Sequence, residues 1–208
     1  MLSADSDMSA ASIEWTMSEV LRNPQEQKKL QNELEHVVGL ERMVQESDLP
    51  SLVYLQAVVK ETLRLHPPGP LSITHSSMED CTVLGYEIPR GTRLVLNLWA
   101  IGRNPKLWED AESFKLERFM EVTGFLEEKL QNLEWIPFGA GRRGCPGQQL
   151  GMLIVEFAVA QLLHCFNWRL PDECMNESKL DMSEENHGLT VTRAHPLFAV
   201  PTPRLPVL

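Results

Sequence analysis

A single cysteine at position 145 sits in the segment PFGAGRRGCPG, Pro137 to Gly147, among four glycines, two adjacent arginines and two prolines. The combination suits a thiolate that binds a metal. Such a sulfur must lose its proton, and nearby positive charge and backbone N–H groups favour the anion. Gly139, Gly141, Gly144 and Gly147 can take positive φ and bring main chain close to the sulfur. A helix expected from about Gln148 would aim the positive end of its dipole back at Cys145. Pro146 suits the approach to that helix, and Phe138 offers an apolar wall. Arg143 can pair with a carboxylate, while Arg142 does the same or faces solvent. A lone cysteine beside a glycine would read equally as a buried residue at a tight turn. The full pattern F-x-x-G-x-R-x-C-x-G, carried by Phe138, Gly141, Arg143, Cys145 and Gly147, points to the ligand instead.

A second set of charged residues lies in KETLRLHPPGPL. Glu61 and Arg64 are spaced i, i+3, which puts them on one helix face. Taken alone, the pair reads as a surface salt bridge of roughly 0.3–0.5 kcal/mol. A further arginine, Arg118, stands in KLERF, residues 115–119.

These residues need elements to hold them. The opening segment through Leu21 reads as a helix, with Ala4, Met8, Ala11, Trp15 and Val20 at helical spacing. It begins without a cap, so upstream sequence is expected. Asn23, Pro24 and Glu26 read as the cap, first turn and capping-box partner of a second helix, with Leu30, Leu34, Val37 and Val38 as its stripe and Gly39 as its end. A third helix is expected from about Pro50 to His66, with Leu52, Leu55, Val58, Val59 and Leu63 facing a core and Pro67, Pro68 and Pro70 stopping it. Strands are expected at Cys81–Leu84, Tyr86–Ile88 and Arg93–Leu96, joined by turns at Gly85 and Pro89–Gly91. Short helical pieces follow in LWAIGRNPKLWED, and residues 105–137 read as mostly irregular, a length that suggests function. The last helix is expected over Gln148–His164, followed by strand fragments at Leu189–Thr192 and Leu197–Val200. The order is mainly helical with small strand patches, and no doubly wound sheet fits it.

Composition narrows the function. The 208 residues suffice for one domain or a large part of one. A formal net charge of −10 argues against a broad basic surface for nucleic acid. Glu173, Glu177, Asp181, Glu184 and Glu185 form one acidic stretch that reads as a solvated loop. Cys81, Cys145, Cys165 and Cys174 show no C-x-x-C spacing, so neither a zinc ribbon nor a thioredoxin-like pair is supported. A reducing compartment is expected, with only Cys145 placed for chemistry. The acidic start, MLSADSDMSAAS, is not a signal peptide. The apolar run Leu150–Phe166, broken by Glu156, Gln161 and His164, is too short and polar to span a bilayer.

The cysteine segment resembles the haem-binding loop of the cytochrome P450 haem-thiolate monooxygenases, the class in which a cysteine thiolate ligates haem iron. By that resemblance Cys145 is the axial ligand, with Phe138, Gly139, Gly141, Gly144 and Gly147 shaping the loop and Arg143 meeting a haem propionate. Glu61, Arg64 and Arg118 are similar to a buried network that holds the loop in place. Leu116 stands where relatives carry proline in PERF. A basic residue near the position of His75 reaches a propionate in similar sequences; a polar strand-end histidine is the alternative. Leu71, Ser72, Ile73, Leu189 and Thr190 would line a substrate pocket.

In the first helix the resemblance implies a glycine and an acid–alcohol pair that relays protons during oxygen activation. Asp7 is retained, but Asp5 replaces the glycine and Met8 the threonine. Methionine cannot donate a proton. Ser9 is one position on, about 100° around the helix, and is an imperfect substitute. SIEWTMSEVLRNP, WAIGRNPKLWED and FNWRLP most resemble plant microsomal members of the A-type group.

The resemblance spans the whole chain but only the C-terminal half of a family member. It implies a single partial domain over residues 1–208, lacking the N-terminal half and membrane anchor, with haem b and electrons from NADPH through a reductase. The full-length protein would sit on the cytosolic face of the endoplasmic reticulum membrane and hydroxylate a small lipophilic, secondary-metabolite substrate. Two alternatives stand beside this: a non-catalytic fragment or pseudogene product, and a haem-thiolate isomerase or dehydratase acting on peroxides.

Overall fold

The computed structural model describes residues 2–120, 133–171 and 180–206. Cys174, Glu173, Glu177 and residues 121–132 of the irregular segment therefore lie outside the described residues.

The chain opens with α1, Leu2–Arg22, whose Ala11, Trp15, Met17, Val20 and Leu21 are buried. Its middle is enclosed on the polar side too, since Ser12, Thr16, Ser18 and Glu19 are buried. The hydroxyls solve this locally: Ser12, Thr16 and Ser18 each donate to the carbonyl four residues back, at 2.8, 2.6 and 2.7 Å.

Helix α2, Pro24–Val38, follows after one residue. The expected capping box does not form. Asn23 turns its amide back to donate to Glu19 O at 2.8 Å, closing the end of α1. Glu26 pairs instead with Lys29 at 3.0 Å and accepts from Tyr54 Oη. With two helices abutting, the free carbonyls of the first compete for the same side chain. Gly39, at φ +83°, ends α2 and donates to Glu35 O at 3.0 Å.

The third helix is two elements rather than one. A 3₁₀ turn, Glu46–Ser51, starts at a reciprocal Gln45–Asp48 capping box, and α3 runs from Val53 to Leu65. Leu52, at φ −92° and ψ 67°, separates them. No local side chain caps α3. Glu33 of α2 does so from across the interface, accepting from Tyr54 N and Leu55 N at 2.7 and 3.0 Å. Burial, opposed by these N–H bonds, pushes the Glu33 carboxyl up.

Small antiparallel pairs follow. β1 (His75–Ser76) pairs with β4 (Arg93–Leu94), and β2 (Cys81–Val83) with β3 (Tyr86–Ile88). Leu84 and Gly85, at φ +50° and +86°, make the two-residue turn of the second pair, whose hand matches strand twist. Helix α4, Leu98–Gly102, is capped by Asn97, whose Oδ1 accepts from Ala100 N at 2.9 Å. Helix α5 covers Glu117–Met120, and a separate 3₁₀ turn covers Gly141–Arg143. Helix α6, Gln148–Cys165, leads into β5 (Phe166–Arg169), which pairs with β8 (Val200–Pro203). β6 (Glu184–His187) and β7 (Thr190–Arg193) close a hairpin.

Several strand expectations shift. The Arg93 strand stops at Leu94, the Leu189 fragment begins at Thr190, and the last strand is Val200–Pro203 rather than Leu197–Val200. Its prolines are tolerated because each strand of a two-stranded ribbon has one unpaired edge, so every second N–H needs no strand partner. β5 does alternate, Phe166-Asn167-Trp168-Arg169, but over only four residues directly after a helix, and β6 shows no apolar alternation.

The core lies where α1, α2, α3 and α6 meet, through Val20, Leu30, Leu34, Leu55, Val58, Val59, Val159 and Leu163. Among the described residues no helix is long and apolar enough to cross a membrane. The architecture is mainly helical with small antiparallel sheets.

Candidate functional site

The cysteine loop is anchored from both sides. Trp135 and Ile136 are buried, and the Trp135 indole donates to Lys60 O of α3 at 3.3 Å. Gly139 N donates to Ile136 O at 2.8 Å, and Cys145 N returns to Phe138 O at 2.8 Å, closing the loop on itself. Gly139 and Gly141 hold φ of +73° and +67°, where a side chain would be strained. Phe138 lies against α6, where a Cβ on Gly151 would stand 3.7 Å from its ring. Gly147 begins α6, and a Cβ there would sit 3.8 Å from Cys145 Sγ. Cys145 itself is exposed, as are Arg142 and Arg143. Cys145 thus stands exposed beside the N-terminus of an 18-residue helix, on a glycine-rich loop.

Glu61, Arg64 and Arg118 come together. Arg64 Nε and Nη2 donate to Glu61 Oε2 and Oε1 at 2.7 Å each. Arg118 Nε lies 3.4 Å from Glu61 Oε1. Arg64 also donates to the carbonyls of Gly102, Ala111 and Ser113, the last two at 2.7 and 3.1 Å, and Lys115 N donates to Glu61 at 2.8 Å. Two buried side chains thereby fix the irregular segment 102–118 onto α3. The buried Leu116 begins α5 without a proline, its carbonyl accepting from Phe119 N and Met120 N at 2.9 and 3.2 Å.

An aromatic file connects this network to the cysteine loop. The Arg64 guanidinium lies 5.2 Å from the Trp108 ring centroid, Trp108 is 6.0 Å from Phe119, and Phe119 is 5.7 Å from Trp135. Trp108, Phe119 and Trp135 were not singled out by sequence reasoning. Their one signal was aromatic residues in a segment otherwise lacking periodicity.

On α1, Asp7 is exposed, whereas Met8 and Ser9 are half-buried. The Met8 methyl lies 3.6 Å from where Gly69 would carry a Cβ, and the Met8 carbonyl accepts from Ser12. His75 is half-buried on β1, opposite Leu94. Leu71, Ile73 and Leu189 are exposed, and Thr190 is half-buried. Ser72 takes φ +52° at a turn in which its N–H donates to Gly69 O at 3.0 Å. The structure brings β7 to the segment before these residues through Val191 N donating to Pro68 O at 2.9 Å. Among the described residues no three His, Cys, Asp or Glu side chains converge as a metal cage.

Comparison with known proteins gives one answer. Residues 1–196 match the family Cytochrome P450. Cytochrome P450 84A1 of Arabidopsis thaliana is 50% identical over 196 residues, 94% of this chain and 37% of that protein. Flavonoid 3',5'-hydroxylase CYP75B138 of Crocosmia x crocosmiiflora is 44% identical over 207 residues, 99% of this chain and 39% of that protein. A zebrafish cytochrome P450 determined with abiraterone superposes with a TM-score of 0.83 at 32% identity, covering 95% of this chain and 45% of its own. The chain spans about two-fifths of the length of the curated relatives it matches. Fold, family match and relatives agree, and the chain belongs to the cytochrome P450 family.

Proposed function

We propose that Cys145 is the thiolate ligand of a haem and that this chain supplies the haem-binding, C-terminal part of a monooxygenase. The observation that carries the reading is the exposed Cys145 sulfur, set beside the start of α6 among glycines that leave its approach clear. A haem fits this donor set. Cys145 would supply one thiolate ligand, and the glycines around it would leave room for a flat macrocycle against the main chain. When bound, haem supplies an iron centre that activates dioxygen with electrons delivered from NADPH through a reductase.

The protein's own residues do the rest. Cys145 would hold the group through its thiolate. Arg143 and His75 supply positive or hydrogen-bonding partners for propionates. Asp7 and Ser9 carry protons toward the site, with Met8 interrupting the alcohol position. Leu71, Ser72, Ile73, Leu189 and Thr190 confine a small lipophilic molecule. A relative named as a flavonoid hydroxylase supports a plant secondary metabolite as the substrate class. The full-length protein works on the cytosolic face of the endoplasmic reticulum membrane.

Replacing Cys145 with serine tests the assignment. A serine hydroxyl stays protonated at neutral pH and is a poor ligand, so Cys145→Ser should lose the red-shifted Soret band of the reduced carbon monoxide complex. A variant retaining that band refutes the ligand role. Met8 in the relay position favours a second reading, rearrangement or dehydration of peroxides without external electrons. Turnover with a hydroperoxide, and none with reductase and NADPH, would select it; no haem in the wild-type protein would leave a non-catalytic fragment.

A further inference from the structure

His66, the residue that ends α3, is buried and touches two other elements, α1 and β6. Its ring stacks on Trp15 of α1, with centroids 4.0 Å apart and planes within 1°. Its Nε2 lies 2.9 Å from Glu19 Oε1 of α1. Its Nδ1 lies 3.4 Å from Glu184 Oε1 of β6, an ion-pair approach. The same Glu184 oxygen lies 3.4 Å from Arg103 Nη2, just past α4. Burial raises the Glu184 carboxyl, but the His66 contact and the Arg103 charge outweigh it and hold the group below the ordinary carboxylate range.

We propose that His66 is a positioning residue: it bridges Glu19 and Glu184 and so clamps the base of the β6–β7 hairpin to α1, setting where Leu189 and Thr190 stand. Glu184 pairs in register with Arg193, so both strands are gripped at the hairpin's open end. Arg193 completes the grip, its guanidinium 5.5 Å from the Trp15 centroid and donating to Asp181 O at 2.7 Å. Val191 N adds the bond to Pro68 O, two residues beyond His66. The tip is left projecting, with Leu189 63% exposed. A phenyl ring at 66 would fill the space and keep the stack on Trp15. What it would lose is the polar bridge, which leaves Glu19 without its 2.9 Å partner and Glu184 with Arg103 alone. The bridging role is therefore separable from packing.

The clamp deepens the monooxygenase reading, because Leu189 and Thr190 matter to catalysis only if they line its pocket. Its primary test does not need haem. Hydrogen exchange of the amides of residues 184–193 should be at least about tenfold faster in His66→Phe than in wild type, with α6 protection unchanged. Should His66→Phe not fold, Glu184→Gln, at a partly exposed side chain, carries the same expectation. Unchanged hairpin exchange in the folded variant, or in both, overturns the clamp. The second arm uses the haem-loaded protein. There 4-phenylimidazole should bind about tenfold more weakly to the Glu184→Gln variant while imidazole binds equally. Equal loss of both azoles, or of neither, overturns the link to the pocket. A wild-type protein that takes up no haem refutes the Cys145 reading and leaves the exchange experiment to decide the clamp alone.

Discussion

Arg64 and Glu61 meet through two hydrogen bonds of 2.7 Å with both side chains closed to solvent. The helix spacing that would give a weak surface pair instead gives a buried one, because segment 102–118 covers it. Removing one partner strands the other charge in a poorly solvated site. Arg64→Ala should cost about 3–5 kcal/mol and prevent accumulation of folded protein. Arg118→Ala should cost less, since Arg118 approaches Glu61 only at 3.4 Å and is partly solvated. Urea unfolding midpoints that rank Arg118→Ala as the worse variant would contradict this geometry.

Gly102 is constrained by contact rather than by dihedral angle. A Cβ there would overlap the carbonyl oxygen of Arg64, which the helix backbone cannot move aside. Gly102→Ala should destabilise by about 3 kcal/mol, the upper range for overpacking. Gly91→Ala makes the comparison: nothing lies near its Cβ, and only the φ of +84° is unfavourable. Its thermal midpoint should fall less than that of Gly102→Ala.

In the proposed proton relay Met8 stands at the alcohol position, and a thioether offers no proton. In the haem-loaded protein with its reductase, Met8→Thr should raise the product formed per NADPH consumed. An unchanged ratio would mean that Ser9 or a water already carries the proton.

Acid should break the Arg42–Asp48 pair only below the ordinary aspartate range. Arg42 Nη1 and Nη2 donate to Asp48 at 2.6 and 2.9 Å, and these bonds hold the carboxyl below its ordinary range. The unfolded chain therefore binds this proton at higher pH than the folded one. The pair's stabilisation is present above the ordinary aspartate pKa of about 3.9 and is lost as pH falls through the lower folded value. Arg42→Ala should lower the urea midpoint at neutral pH and flatten its decline on the acid side. An acid-side slope equal to wild type would rule the pair out as a contributor.

Much of this was legible before any coordinates. Leu52, Leu55, Val58, Val59 and Leu63 repeat at helical intervals, and all are buried. The three prolines after His66 mark a stop that the backbone obeys. What failed were local rules overruled by neighbours. Asn23 was free to cap α2 in sequence, but the end of α1 claims its amide. No pattern announces that Glu33 caps a helix beginning 20 residues later, because that depends on α2 lying across α3. His66 read only as the last residue before the prolines. Its partner Glu19 lies 47 residues away, and only the packing of α1 on α3 joins them.

Arg204 gathers elements from the opposite end of the chain. Its N–H donates to Cys165 O at 2.8 Å, and its Nη2 donates to Gln31 O at 3.1 Å and Glu35 at 2.8 Å. The contact with Gln31 spans 173 positions. Closing so long a loop is entropically unfavourable until most other contacts exist. Helix α2 can therefore bury Leu30 and Leu34 against α1, α3 and α6 first, and gain the Arg204 bonds as a late fastening.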